Sequence, residues 1–402
     1  MFYFAIFSIL FVFSVLEISN LNKTSHKILI GISWLMLVLV AGLRYETGGD
    51  WGIYTSIFEK TNPIIQVFAG KGFGNRGMES GFLFLCSLIK QFGGSIQSVY
   101  FLIVLFNITL ITLSLKKYTK YILVGLFVYY CTMYFVLDML YTRQSVAVAI
   151  VFYAMSYVKE KRMLRFFVLI AIATLFHRMA IVMIPLYFVL NYRFRTITLL
   201  AIVSVGCVLM FFNIQWIKNV FVGISTLLGE NFSRRALMYV SHDRFAVARI
   251  IGIGFFLNII LFATTLFYRK KIETFKMGNI FINLFFVSLL VYYYMYELVE
   301  VSNRFRIMFF ISLIVLFPYF VEIFEKVINK IVVFLGITAY SFMFNMPIFL
   351  EKESASAYNP YQNYWYYKLT GKKSTGKERL EKTHKSFTDE RQKMKDEREK
   401  NK

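Results

Sequence analysis

The sequence predicts an all-α polytopic membrane protein with about twelve transmembrane helices and one further short or re-entrant helix near 80–92. Three observations carry this. The 402-residue chain is 58% hydrophobic and only 17% charged, too apolar for a soluble domain of that length. Its apolar residues fall in runs such as 250–267 that do not alternate, which argues for helices rather than a membrane β-barrel. Short polar joints separate the runs, and these joints sort into a lysine-rich set and an arginine-rich set.

The spans read in order as 1–19, 28–43, 96–115, 121–137, 143–158, 164–177, 180–192, 196–213, 251–268, 277–297, 304–321 and 331–349. The first lacks a basic leading region and a small-residue cleavage site, so it reads as a span and not a removed signal peptide. The second lies between Lys27 and Arg44, and the next two flank Lys116-Lys117-Tyr118-Thr119-Lys120. Arg143 opens the fifth, and His177 closes the sixth ahead of the seventh. The long polar stretch 214–250 follows the eighth, Arg269-Lys270-Lys271 follows the ninth, and Glu297–Arg304 separates the tenth from the eleventh. Residues 80–92 are apolar but short, bounded by Glu79 and Gly93-Gly94. Counting them as a full span would put the Lys116 and Lys159 joints outside together, so they read as a re-entrant or partly inserted helix lining a cavity.

On this reading the joints 20–27, 116–120, 159–163, 193–195, 269–276 and 322–330 share one face, where lysine outnumbers arginine. Short lysine-rich loops mark the cytoplasm. The other face carries the long segments 44–79 and 214–250, and there the preference inverts. Arginines 44, 76, 143, 178, 234, 235, 244, 249, 304 and 306 stand against lysines 60, 71, 90 and 218. Snorkelling to lipid phosphates accounts for part of this. A planar fork of donors fits a phosphate or pyrophosphate, so the inversion points to a phosphorylated substrate gripped from the outer side.

The net charge of +22 is dispersed among the spans and not gathered on a soluble module, which argues against a nucleic-acid partner. Cys86, Cys131 and Cys207 sit inside apolar runs, so neither disulfides nor a cysteine metal site is expected. No DxD pair, HExxH motif, Walker loop or metal-ligand cluster occurs, so no metal and no cofactor is expected. Residues 1–350 form one transmembrane domain. Residues 351–402 form a tail, aromatic over 358–367 and then highly charged, partly helical and partly disordered. An even span count places this tail outside, whereas its basic excess suits the cytoplasm.

The first outer segment opens Gly42-Leu43-Arg44-Tyr45-Glu46-Thr47-Gly48-Gly49-Asp50-Trp51-Gly52-Ile53-Tyr54. Glycines let backbone N–H groups approach a ligand closely, an arginine clamps phosphate, and a carboxylate orients a sugar hydroxyl. A capped helix end with an Arg44–Asp50 ion pair fits the same residues. The string Arg44, Gly48, Asp50, Tyr54 resembles the opening signature of the EpsG/Wzy-like family of bacterial polysaccharide (O-antigen, capsule and exopolysaccharide) polymerases. Glu79-Ser80-Gly81-Phe82, Arg143-Gln144, Phe176-His177 followed by Ala180, and Asn303-Arg304 are similar to its later landmarks. The family often has a serine two residues after the histidine, where this chain has Met179.

The resemblance implies a multi-pass protein of the bacterial inner membrane, comparable in fold to multi-span glycosyltransferases that use lipid-linked donors. It implies polymerisation of undecaprenyl-pyrophosphate-linked oligosaccharide repeat units by glycosyl transfer outside the cytoplasm, beside a chain-length regulator and other polysaccharide-assembly proteins. The departing pyrophosphate needs neutralising charge, for which Arg44, Arg143, Arg178 and Arg304 are candidates. Arg234, Arg235 and Tyr239 in the second outer segment are candidates for recognising the glycan, with Gly48 and Tyr54 beside the first. His177 titrates near neutrality and is a candidate base, with Asp50 and Glu79 as rivals; a structural histidine in an apolar stretch is equally expected. A lipid-linked oligosaccharide flippase and a glycan ligase would make similar demands on the arginines, while a multi-span acyltransferase would want its histidine on the cytoplasmic side.

Overall fold

A computed structural model of the protein describes residues 1–74, 77–218, 220, 223, 249 and 251–400. These residues are helical with no sheet, in line with the expected class. The principal helices are α1 (Phe2–Ile18), α2 (Lys23–Gly42), α3 (Trp51–Lys60), α4 (Ser80–Gln91), α5 (Ile96–Tyr118), α6 (Ile122–Leu137), α7 (Thr142–Lys159), α8 (Met163–Phe176) and α9 (Arg178–Leu190). There follow α10 (Thr196–Phe211), α11 (Ile253–Phe267), α12 (Gly278–Tyr294), α13 (Val299–Phe310), α14 (Leu313–Glu322), α15 (Val327–Phe349), α16 (Tyr364–Thr370) and α17 (Gly376–Lys400).

The expected twelve transmembrane helices are not found. Among the described residues only α2, α5 and α15 are long and apolar enough to cross a membrane, or four segments if α13 and α14, bent by 44° at their junction, act as one broken span. The shorter apolar helices run 10–17 residues. The run 121–137 contains a π-helical turn at Tyr130–Tyr134, and the run 180–192 begins in a 3₁₀ turn at Arg178–Val182. The 14-residue α8 reaches roughly 21 Å against a hydrocarbon core of about 30 Å. The apolar stretch near 80–92 does form a short helix, α4.

The chain divides into two compact units. The first comprises Met1–Ala154, Phe167–Ile181 and Phe324–Lys402. Here the Glu17 carboxylate accepts the Leu123 and Val124 N–H groups at 3.0 Å, satisfying donors that every helix N-terminus leaves open. The π turn of α6 is supported in the same way. Asn345, at a kink in α15, donates to the Cys131 carbonyl at 2.6 Å, while the hydroxyls of Tyr130 and Tyr134 donate to Tyr3 and Leu37 carbonyls at 2.7 Å. Helices α2 and α5 run antiparallel in close contact, with a Cβ at Gly42 reaching within 2.9 Å of the Phe101 ring.

The second unit comprises Met155–Phe166 and Val182–Ile323. Buried amides tie its helices. Asn283 donates to the Leu190 and Tyr192 carbonyls at 2.8 and 2.7 Å, and Asn279 to Tyr192 at 3.1 Å, satisfying the end of α9. Gly206 lets α10 approach α12 where a Cβ would stand 2.6 Å from the Tyr294 ring.

Candidate active site

The site grows from the point where α2 ends. Arg44 turns back over that end. Its guanidinium donates to the Ala41 carbonyl at 2.7 Å and the Thr142 hydroxyl at 3.4 Å, and it lies 4.4 Å above the Tyr100 ring. Only 2% of the residue is exposed. Four residues on, Gly48 adopts φ +98°, and a Cβ there would run into the Met139 carbonyl oxygen. Only glycine meets both conditions. The loop is thereby pinned to the segment between α6 and α7.

Asp50 precedes α3, which carries Tyr54 into the interior, 5% exposed and packed edge-on against Phe82. Arg143, in the first turn of α7, lies 5.9 Å from the Tyr54 ring and forms an ion pair with Glu79, the residue before α4. Both charged side chains are mostly sequestered, 22% and 11% exposed. Burial raises the Tyr54 hydroxyl above its ordinary range, the Arg143 guanidinium opposing. Gly81 brings the start of α4 against the end of α8, where a Cβ would stand 2.9 Å from the Leu175 carbonyl oxygen. His177 follows directly on α8, half-buried, and its carbonyl accepts the Ala180 N–H at 3.0 Å. Arg178 is exposed.

Four sequence landmarks therefore meet in one unit: Arg44 on Thr142, Gly48 on Met139, Tyr54 and Glu79 on Arg143, and Gly81 beside the His177 turn. The fifth, Asn303-Arg304, belongs to the second unit. There Arg304 pairs with Glu300 one helical turn earlier, at 3.1 Å. Asn303 accepts from Arg249 at 2.7 Å, and Arg249 and Arg306 lie 4.2 and 4.6 Å from the Tyr292 ring centroid. Arg76, Arg234, Arg235, Tyr239 and Arg244 lie outside the described residues.

Two contributors escaped sequence reasoning. Asp138 is buried behind the loop, accepting from Tyr129 at 2.5 Å and Asn107 at 3.0 Å. A single carboxylate between two apolar runs was its only signal. The other is the tail. Asn363 bridges Arg44 in antiparallel fashion, with Tyr45 N–H donating to the Gln362 carbonyl and Tyr364 N–H to the Leu43 carbonyl, each at 2.8 Å. Arg379, in α17, donates to the carbonyls of Glu46 at 2.8 Å and Pro360 at 3.0 Å, clamping the loop to the tail.

The EpsG family model matches residues 27–363, a stretch that contains all five landmarks. The chain belongs to the EpsG family. Membership supports a polysaccharide-polymerase-like role and a multi-pass place in a membrane. No curated protein and no solved structure matches the chain. In this EpsG-family protein the clamp residue Arg379 lies beyond the matched stretch, so the signature loop is held partly by a segment outside the family pattern.

Proposed function

We propose that the protein polymerises undecaprenyl-pyrophosphate-linked repeat units on the extracytoplasmic face, with arginines gripping the pyrophosphate. Family membership supports the class of reaction. The observation that carries the reading further is the convergence of Tyr54, Glu79 and Arg143 beside the Arg44–Gly48 loop, a partly sequestered ion-paired and aromatic cluster at one end of two membrane-long helices. The face is supported independently of span count. Helix α2 begins with Lys23 and Lys27 and is followed by Arg44, while its antiparallel neighbour α5 begins after Ser95 and ends in Lys116 and Lys117. Lysine thus marks one end of the pair and the arginine loop the other.

In the reaction, an acceptor sugar hydroxyl attacks the anomeric carbon of the donor unit. The bond from that carbon to the pyrophosphate oxygen breaks, and the lipid pyrophosphate departs with the electron pair. Pyrophosphate is a good leaving group, so the main demand is charge neutralisation in a site poor in water. Arg143 and Arg178 in the first unit are the residues assigned to it. Arg44 is too enclosed to meet a ligand while the loop keeps this form, and it acts by fixing the loop's exit from α2. His177 takes the hydroxyl proton, with Asp50 and Glu79 as the rival acceptors.

Deleting the gene in its native host and separating the surface glycans on a gel tests this reading. Material of single repeat length in place of a ladder is the expected result. Complete loss of surface glycan would instead indicate a flippase or an earlier step.

A further inference from the structure

At the end of α2 and α5 remote from the Arg44 loop, the two helices enclose an open groove of about 280 Å³. Lys27 and Lys116 line one end of it, and Trp34 and Thr109 the other, joined by a hydrogen bond from the indole N–H to the hydroxyl at 3.0 Å. Seven residues separate the two ends on either helix, roughly 10 Å of rise. Gly31 leaves the groove room, since a Cβ there would meet nothing within 4 Å. The surrounding helix surface is apolar and open, with Ile32 45% and Leu113 43% exposed.

We propose that this groove binds the phosphate headgroup of an anionic phospholipid. Two lysines line one opening, and both helices are long and apolar enough to lie in a bilayer. Basic pockets between transmembrane helices on the lysine-rich side suit anionic headgroups. Trp34, about 10 Å deeper along the pair, has its N–H satisfied by Thr109, so the ring lies among acyl chains with no unpaired donor. The volume falls just under the roughly 300 Å³ at which small-ligand pockets begin, which fits a headgroup whose chains continue along Ile32 and Leu113. That continuity favours a lipid over a free anion.

The test is native mass spectrometry of the full-length protein, delipidated in detergent and titrated with phosphatidylglycerol. Phosphatidylcholine and inorganic phosphate serve as parallel arms. Each lysine near an anionic headgroup contributes a factor of roughly five, so Lys27→Gln with Lys116→Gln should weaken the tightest phosphatidylglycerol event by about 30-fold. Gly31→Leu fills the groove with both charges intact, and it should abolish the same event while raising helix propensity. Lys120→Gln, which removes a lysine that does not line the groove, should leave it unchanged. The proposal is overturned if the double variant binds as the wild type does, if Lys120→Gln weakens binding equally, if phosphatidylcholine binds as tightly, or if inorganic phosphate displaces the lipid at comparable concentration.

Discussion

Glu79 and Arg143, 64 residues apart in sequence, meet in an ion pair beside the Tyr54 ring. Each sits at the start of a helix, so the pair ties the start of α4 to the start of α7. A charged pair in such a setting is strongly coupled to its surroundings, and removing one partner strands the other.

Substituting Arg143→Lys keeps the charge and loses the fork. Because a hydrogen bond to a charged group is worth about 1.5–3 kcal/mol, long-chain product should fall on the order of tenfold to a hundredfold. Quantifying the glycan ladder at matched protein level checks this. A wild-type ladder would remove Arg143 from the site.

Gly48→Ala is expected to be worse than its size suggests. The left-handed φ costs about 1–3 kcal/mol for a residue with a Cβ, and the Met139 carbonyl blocks the new methyl. Melting temperature should fall and the ladder should shorten. Gly52→Ala, where a Cβ meets nothing within 4 Å in helix α3, should be neutral or slightly stabilising in the same assays.

Burial pushes the Asp138 carboxyl up to about 6, against hydrogen bonds from Tyr129 and Asn107 and the nearby Arg44 charge. The folded protein therefore favours the protonated acid. This residue's contribution to stability is complete below about pH 4, the unfolded range, and is lost as pH rises through about 6. Asp138→Asn should flatten that part of the stability profile. Thermal unfolding in detergent between pH 4 and pH 8 measures it, and an unchanged slope would show that other groups are responsible.

The tail clamp makes a separate prediction. Arg379→Ala leaves the Glu46 and Pro360 carbonyls without a donor, at a cost of roughly 1–3 kcal/mol. The junction between Lys372 and Gly376 should then be cut faster in limited proteolysis, and Arg379→Lys should restore only part of the protection. Equal cleavage rates in all three proteins would mean that the clamp contributes nothing to holding the tail.

Much of the first unit's site was legible because its signals are local. Gly48 stood out as a place of close approach, although the neighbour is the Met139 carbonyl and not a ligand, and Arg44, Glu79, Arg143 and His177 each stood at the edge of an apolar run. What could not be read were properties set by distant partners. Arg379 sits in a charged run that looks solvated, and only the fold shows its guanidinium satisfying carbonyls of the opening loop. Asn107 is a lone amide in a span until Asp138 and Ser145 are placed beside it. The span count failed for a related reason. A hydropathy window counts apolar residues, but it does not see where helices start and stop, and many of the apolar ones run only 10–17 residues.

The most direct measurement is a reconstituted reaction: purified protein in lipid, given undecaprenyl-pyrophosphate-linked repeat units and no other enzyme. Wild type should yield lipid-linked glycan of two or more repeats and release undecaprenyl pyrophosphate, one molecule for each bond formed, with Arg143→Lys lowering both products together. Substrate recovered unchanged, or moved across the bilayer without any new glycosidic bond, would contradict the account.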